Sequence, residues 1–530
     1  MSVATLDEAM LLTGFGKYNL QHMLMCGMIL MGMIMQSLAL GYVMPAAQCD
    51  LNLTMKQRGW LGAIPFFAMI LTSYFWGYLA DTRGRRPVML VTMILSILFS
   101  LLNSFSPNLI VFAILSFISS VFMSGPSAVV YTYLGEFNSL KHRDKMIAFG
   151  SSFIAIGTIV LPIMAWIILP MTFNIPLGFI SYRPWRLLVV ACALPYAVAA
   201  TLLSLAPESP KFLNAVGRQD ECLEVVKKIY KTNGRDNETF PVKSLVVERQ
   251  GEKQVSRRGL AAVLASLREQ TVPLFQSPLL PWTCLACFVQ FGILATTNGF
   301  YVWLPTILNS LLSNDGSDSR ICDILSVQYN NSTLVEVCDD TIHTKTYQHS
   351  IYIGLVFLSM YIIVGAVVDF VGKKHILITV LLITGLCGIC AHLMPNARLG
   401  VIMFAIFQMS GACIGLMNSV SVDLFPTKYR GMAVCLSMMM GRVGSMVGSN
   451  IIGLFLQKNC GSSFYVFGGT LVANGLSCLM LPSRKQSTIS NINGTDDFNE
   501  NPPISNSQTP TDPNRSVTND VNAKVTSFAT

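Results

Sequence analysis

Apolar residues run along this chain in long stretches separated by mostly short polar segments. A helix crosses a bilayer with about 20 largely nonpolar residues, and twelve stretches meet that length. They lie near 22–46, 60–80, 88–106, 108–133, 147–170, 187–206, 282–306, 350–370, 376–394, 399–421, 432–456 and 462–482, and are numbered spans 1 to 12. The pattern predicts an all-α integral membrane protein with two six-helix bundles, residues 22–206 and 282–482. The polar remainder is a tail at 1–21, a linker at 207–281, a loop at 309–349 and a tail at 483–530. An amphipathic helix is expected near 218–232, and the Asn, Ser, Thr and Pro of the last tail predict disorder. The start, Met1–Met10, is polar and acidic and leads into no short apolar core with a cleavage site. Span 1 is therefore expected to act as a signal anchor.

Charge changes the picture by its placement. Only 12% of residues are charged, about half the share of a soluble domain. The net charge of +8 comes from 36 Lys and Arg against 28 Asp and Glu. In the short loops the cations gather on one side. Arg83, Arg85 and Arg86 follow span 2; Lys141, Arg143 and Lys145 follow span 4; Lys373 and Lys374 follow span 8; Lys428 and Arg430 follow span 10. The positive-inside rule puts these loops, the linker and both termini in the cytosol. The basic excess is thus a topology signal, and no nucleic-acid partner is expected.

The cytosolic loops also repeat. Gly77, Asp81, Gly84, Arg85 and Arg86 after span 2 match Gly365, Asp369, Gly372, Lys373 and Lys374 after span 8. Glu136 and Arg143 after span 4 match Asp423 and Arg430 after span 10. The chain therefore reads as two pseudo-symmetric halves, the parallel repeat of one large transporter architecture. These charges are expected to form gating contacts between the halves.

The Gly77–Pro87 stretch resembles the loop signature of the major facilitator superfamily. Thr5–Asn19, Pro184-Trp185-Arg186, Pro207–Leu213, Val302–Pro305 and Asp423–Gly431 narrow the likeness to the synaptic vesicle glycoprotein 2 and SVOP-like branch, kin to organic ion transporters. The resemblance covers roughly residues 5–482. It implies the major facilitator fold and alternating access about a cavity lined by spans 1, 4, 7 and 10, with help from 5, 8 and 11. It also implies a small organic solute as substrate and a home in the plasma membrane or a secretory or synaptic-type vesicle. Two features of relatives are missing: Met33–Ser37 in span 1 carries no acid, and Ala113–Phe117 in span 4 carries no Arg. No Asp or Glu lies deep in any span, so a proton-coupled mechanism is not expected. Secondary transport of a small organic, anionic solute by alternating access is the first reading; a non-transporting vesicle glycoprotein acting in ligand binding or trafficking is the alternative.

Arg442 is the one charge at depth. It lies roughly 16 Å into span 11 at 1.5 Å per residue, where a charge costs at least ~2.5 kcal/mol. It is either an anchor for an anionic solute or a buried cation capped by carbonyls. Gly441 and Gly444 beside it permit close helix approach. The neutral candidates for solute contact are Gln36, Tyr131, Trp166, Asn298, Tyr301, Trp303 and Gln408. Trp166 and Trp303 read either as an interfacial belt or as aromatic walls around a ligand. Cys322 and Cys338 are expected to form a disulfide in the outer loop, with Cys49 and Cys460 as further outer cysteines. Asn330, Asn331 and Asn52 carry outer-side glycosylation sequons. No metal or cofactor site and no enzymatic nucleophile constellation is read, and a monomer is expected.

Overall fold

The computed structural model describes residues 3–178, 180–234, 240–246, 268–269, 271–313, 322–324, 341–426 and 429–482, without the side chains of residues 140, 144, 369, 397, 398, 430, 457 and 458. The chain divides into two units, Met1–Leu481 and Pro482–Thr530. Apart from Pro482, the second unit lies outside the described residues, as does the expectation of disorder there.

Among the described residues, twelve helices are long and apolar enough to cross a membrane. The first half has Lys17–Ala46, Met55–Arg83, Arg85–Ser104, Leu109–Glu136, Lys141–Ile168 and Pro184–Leu205. The second has Leu280–Leu311, Thr344–Val368, Lys373–Leu393, Leu399–Leu424, Gly431–Leu456 and Cys460–Met480. Several begin earlier than the apolar pattern does, because their ends are cationic but still helical. Lys17, Lys56 and Lys141 each sit in a first turn that extends beyond the nonpolar core. Three spans are interrupted. Span 1 breaks at Ala39, span 6 at Cys192–Ala193 ahead of Pro195, and span 10 tightens to a 3₁₀ turn at Met409–Ala412.

The N-terminal tail is folded. Val3–Ala4 pairs in parallel with Ser244–Leu245 of the linker. The helix Leu6–Leu12 starts with a capping box in which Thr5 and Glu8 satisfy each other's backbone N–H. The linker's amphipathic helix is Gln219–Thr232, and it buries Cys222, Val226 and Ile229. Asn233 stitches the two segments: it accepts from the Tyr18 N–H at 3.1 Å and donates to the Thr13 carbonyl at 3.1 Å and to Asn19 at 2.9 Å.

The two halves pack closely at one end, which we call the disulfide end. There Tyr301 of span 7 donates to the Thr158 carbonyl of span 5 at 2.9 Å. Tyr42 of span 1 stacks with Tyr347 of span 8, centroids 6.4 Å apart. Gly41 lies so close to span 7 that a Cβ would sit 2.9 Å from the Val302 carbonyl oxygen. The opposite end carries the cationic loops.

Candidate functional site

At the charged end, Gly84 takes φ +105° and turns span 2 into span 3. Arg85 reaches Asp81 at 3.0 Å and Glu136 at 3.2 Å, with its guanidinium 5.3 Å from the Phe212 ring centroid. Glu136 also accepts from Ser209. Glu208 accepts from the backbone N–H groups of Arg85 and Arg86 at 3.1 and 3.2 Å, setting a carboxylate on the positive end of span 3. Arg86 points the other way and donates to the Leu203 and Ser204 carbonyls at 3.3 and 2.5 Å. It thereby caps the C-terminus of span 6.

The second half repeats this scheme. Lys373 reaches Asp423 at 2.8 Å. Lys374 donates to the Leu479 carbonyl at 2.9 Å and to that of Leu481, at the end of span 12. In each half the first cation holds the acid closing the fourth helix, and the second caps the sixth. In this conformation every such contact among the described residues closes within its own half. The acids closing the fourth helices do not take the cations seven residues on. Glu136 takes Arg85 and Ser209 in place of Arg143, whose guanidinium packs over Gly135. Asp423 takes Lys373, while the side chains of Asp369 and Arg430 lie outside the described residues. The reason is reach: the loop cation one turn from a span end meets the nearest acid of its own bundle first.

Arg442 does cross between the halves. Its guanidinium donates to Ser73 of span 2 and, at 3.2 Å, to Ser127 of span 4, with the Met69 carbonyl at 3.5 Å. Tyr131 and Cys435 are its other close polar neighbours, and Tyr131 also meets Ser151. Among the described residues no carboxylate touches it. Gly444 and Gly448 bring the span 11 backbone against the Phe291 and Ala295 carbonyls of span 7, so Arg442 has no room to withdraw on that side. Sequence reasoning missed Ser73 and Ser127, because a lone hydroxyl in an apolar span signals nothing until the facing helix is known.

The neutral candidates do not form one cluster. Asn298 donates to Ser445 at 3.0 Å, and Gln408 lies 3.5 Å from the Thr297 carbonyl. Trp303 is buried, donates to the Ser449 carbonyl at 2.8 Å and packs on Gly453. Its ring faces are taken, and Trp166 is 37% exposed at the end of span 5. The reading of Trp303 as a ligand wall is therefore corrected: it is helix packing. Gln36 lies inside the first bundle, bonded by Ser96 at 3.2 Å.

At the disulfide end, Cys322 is bonded to Cys460, with Cα atoms 5.5 Å apart. That corrects the expected Cys322–Cys338 pair. The residues 322–324 rest on the start of span 12, which brings a cysteine distant in sequence into bonding range. Cys49 is disulfide-bonded as well. Asn52 is exposed, with φ +49°. Cys338, Asn330 and Asn331 lie outside the described residues.

A family model described as Major Facilitator Superfamily matches residues 24–316 and 324–521. The chain belongs to this superfamily. Among its relatives, the chain is 27% identical to synaptic vesicle glycoprotein 2C of Mus musculus over 367 residues, 66% of this chain and 50% of that one. It is 27% identical to synaptic vesicle glycoprotein 2A of Rattus norvegicus over 323 residues, 57% of this chain and 43% of that one. The chain spans about half the length of the curated relatives it matches. Among solved structures it resembles the partially occluded inward open xylose transporter XylE from E. coli, with TM-score 0.62, 14% identity, and coverage of 88% of this chain and 100% of that one. At that identity the likeness is one of fold.

In this major facilitator of the vesicle glycoprotein 2-like branch, the branch motifs have visible structural tasks. Pro207–Leu213 supplies Glu208, Ser209 and Phe212 to the Arg85 cluster. In Pro184-Trp185-Arg186, Trp185 donates to Asp50 at 2.8 Å, and Arg186 donates to the Ser104 and Ser106 carbonyls at 3.0 and 2.7 Å. Arg183 reaches the same Asp50 at 2.9 Å. One acid thus ties the loop after span 1 to the start of span 6.

Proposed function

We propose that this major facilitator moves a small organic anion across its membrane by alternating access, with Arg442 as the anion's anchor. The observation that carries the reading is a partly buried guanidinium at mid-span whose partners among the described residues are all neutral. A desolvated cation without a carboxylate partner is stabilised by any anion that reaches it. The same guanidinium joins span 11 to spans 2 and 4. An arriving carboxylate or sulfate competes with Ser73 and Ser127 for its N–H donors. Binding would then loosen this tie between the halves at the moment the site is filled, which couples occupancy to movement. The loops with the Arg85 and Lys373 clusters, both termini and the linker face the cytosol in this reading. The disulfide end, with the Asn52 sequon, faces outward or into a vesicle lumen.

The test is ligand stabilisation of the purified full chain in nanodiscs against organic anions, cations and sugars, followed by uptake into proteoliposomes. An anion is expected to raise the melting temperature. Arg442→Ala is expected to weaken its binding roughly 10- to 100-fold, the loss of one or two charge-assisted hydrogen bonds. Arg442→Lys keeps the charge but not the planar fork, and should retain part of the affinity. Stabilisation by cations or sugars alone, unchanged in Arg442→Ala, contradicts the reading. Anion binding that needs Arg442 without any uptake favours a binding glycoprotein, the role that the vesicle relatives' names leave open.

A further inference from the structure

A second polar site lies inside the first bundle, away from Arg442. A cavity of about 50 Å³ sits among spans 1, 3, 4 and 6. Its polar wall is Gln36, Ser100, Asn103, Ser116, Ser119 and Ser120, with no charged group. Most of this wall is internally bonded. Gln36 Oε1 accepts from Ser96 at 3.2 Å, Asn103 Nδ2 donates to Ser116 at 2.9 Å, and Ser100 and Ser119 are 2.9 Å apart. Two buried atoms of this wall have no protein partner among the described residues: Gln36 Nε2, a donor, and Asn103 Oδ1, an acceptor. Asn103 is only 4% exposed.

Buried between helices, each such atom is costly unless paired. The wall asks for something that accepts at one end and donates at the other. A cation would meet the Gln36 N–H; an anion would meet the Asn103 carbonyl oxygen. The hydroxyls between serve either way. A water needs on the order of 10–15 Å³ of such space and two to four polar partners, so about three waters fit.

We propose that this cavity is a built water site, a file of about three molecules running from Gln36 to Asn103. The file links span 1 to spans 3 and 4, so that the three helices move as one body. Asn103 is then a positioning residue for the Gln36 amide, acting through water. The site stands independently of the transport reading.

Radiolytic labelling of the full chain in nanodiscs in H₂¹⁸O tests this, because radicals formed at a bound water mark the side chains touching it. Met123 and Cys192 line the cavity and are each 1% exposed. Met89 and Met93 are 0% exposed and do not line it. Met123 and Cys192 should take up ¹⁸O several-fold faster than Met89 and Met93. Asn103→Leu and Gln36→Leu should bring them down to that control level, while Asn103→Ser, which keeps an oxygen for water, should preserve the excess. Equal rates at all four residues in the unmodified protein would overturn the proposal, whether or not the leucine variants fold. So would a melting temperature that rises with NaCl over choline chloride in the unmodified protein but not in Asn103→Leu, which would mean that an ion binds there.

Discussion

At the scale of single residues, the two charged clusters share one plan but differ in burial. Arg85 and Glu136 have side chains 14% and 6% exposed, whereas Lys373 and Asp423 are 37% and 58% exposed. An exposed ion pair contributes up to ~1 kcal/mol; a buried one, broken by removing a single partner, costs roughly 3–5 kcal/mol. Glu136→Gln should therefore lower the melting temperature clearly, and Asp423→Asn hardly at all, as read by intrinsic-fluorescence melts in nanodiscs. Equal shifts would show that burial does not separate the two. The acids and cations of this pair of clusters were legible in the sequence as a repeat. Their partners were not, because the repeat shows which residues correspond and not which ones touch. Glu208 and Ser209, which complete the buried cluster, have no counterpart in the repeat and were visible only as part of a motif.

At the scale of elements, the apolar pattern located all twelve helices, since a span must be nonpolar along its length and little else in a chain is. It missed what lies off that pattern. The breaks in spans 1, 6 and 10 fall inside apolar sequence, where hydropathy is blind to a lost hydrogen bond. The N-terminal tail read simply as polar, yet it folds onto the linker through a two-residue strand, a capped helix and Asn233. Asn233→Ala should raise hydrogen exchange across Val3–Leu12 while leaving the spans unchanged; unaltered exchange there would mean that the strand alone holds the tail. Glu8 adds a pH signature. Hydrogen bonds from the Thr5 backbone and side chain hold its carboxyl below the ordinary glutamate range. A depressed folded value means that the contribution is present above the ordinary range and lost as pH falls through the lowered value. Protection of this helix, corrected for intrinsic exchange rates, should persist at mildly acidic pH and drop at lower pH. Glu8→Gln should remove that step.

At the scale of the whole molecule, the seam between the halves is tight at the disulfide end, and the charged clusters of the other end stay within their own halves. The conformation is thus one sealed at the disulfide end. Its seal depends on small residues: at Gly41 a Cβ would lie 2.9 Å from the Val302 carbonyl oxygen, and at Gly62 it would lie 2.7 Å from the Val302 side chain. A backbone oxygen cannot swing aside as a side chain does, so bulk at Gly41 must push spans 1 and 7 apart. Gly41→Trp should therefore disfavour this conformation and shift the population toward one sealed at the charged end. Cys435 reports the shift. It is exposed and lies near Tyr74 and Asp81 on the charged side of Arg442. In the unmodified protein a bulky water-soluble maleimide should modify Cys435. In Gly41→Trp its labelling rate should fall roughly tenfold, as when the accessible conformation drops from about 90% to about 9% of molecules, a shift of ~2.7 kcal/mol. Cys284, also exposed but at the start of span 7 away from the seam, should react as before. Labelling of Cys435 that ignores Gly41→Trp would mean that closure at one end is not linked to opening at the other, and a rocking exchange between two sealed states would then be the wrong description of this molecule.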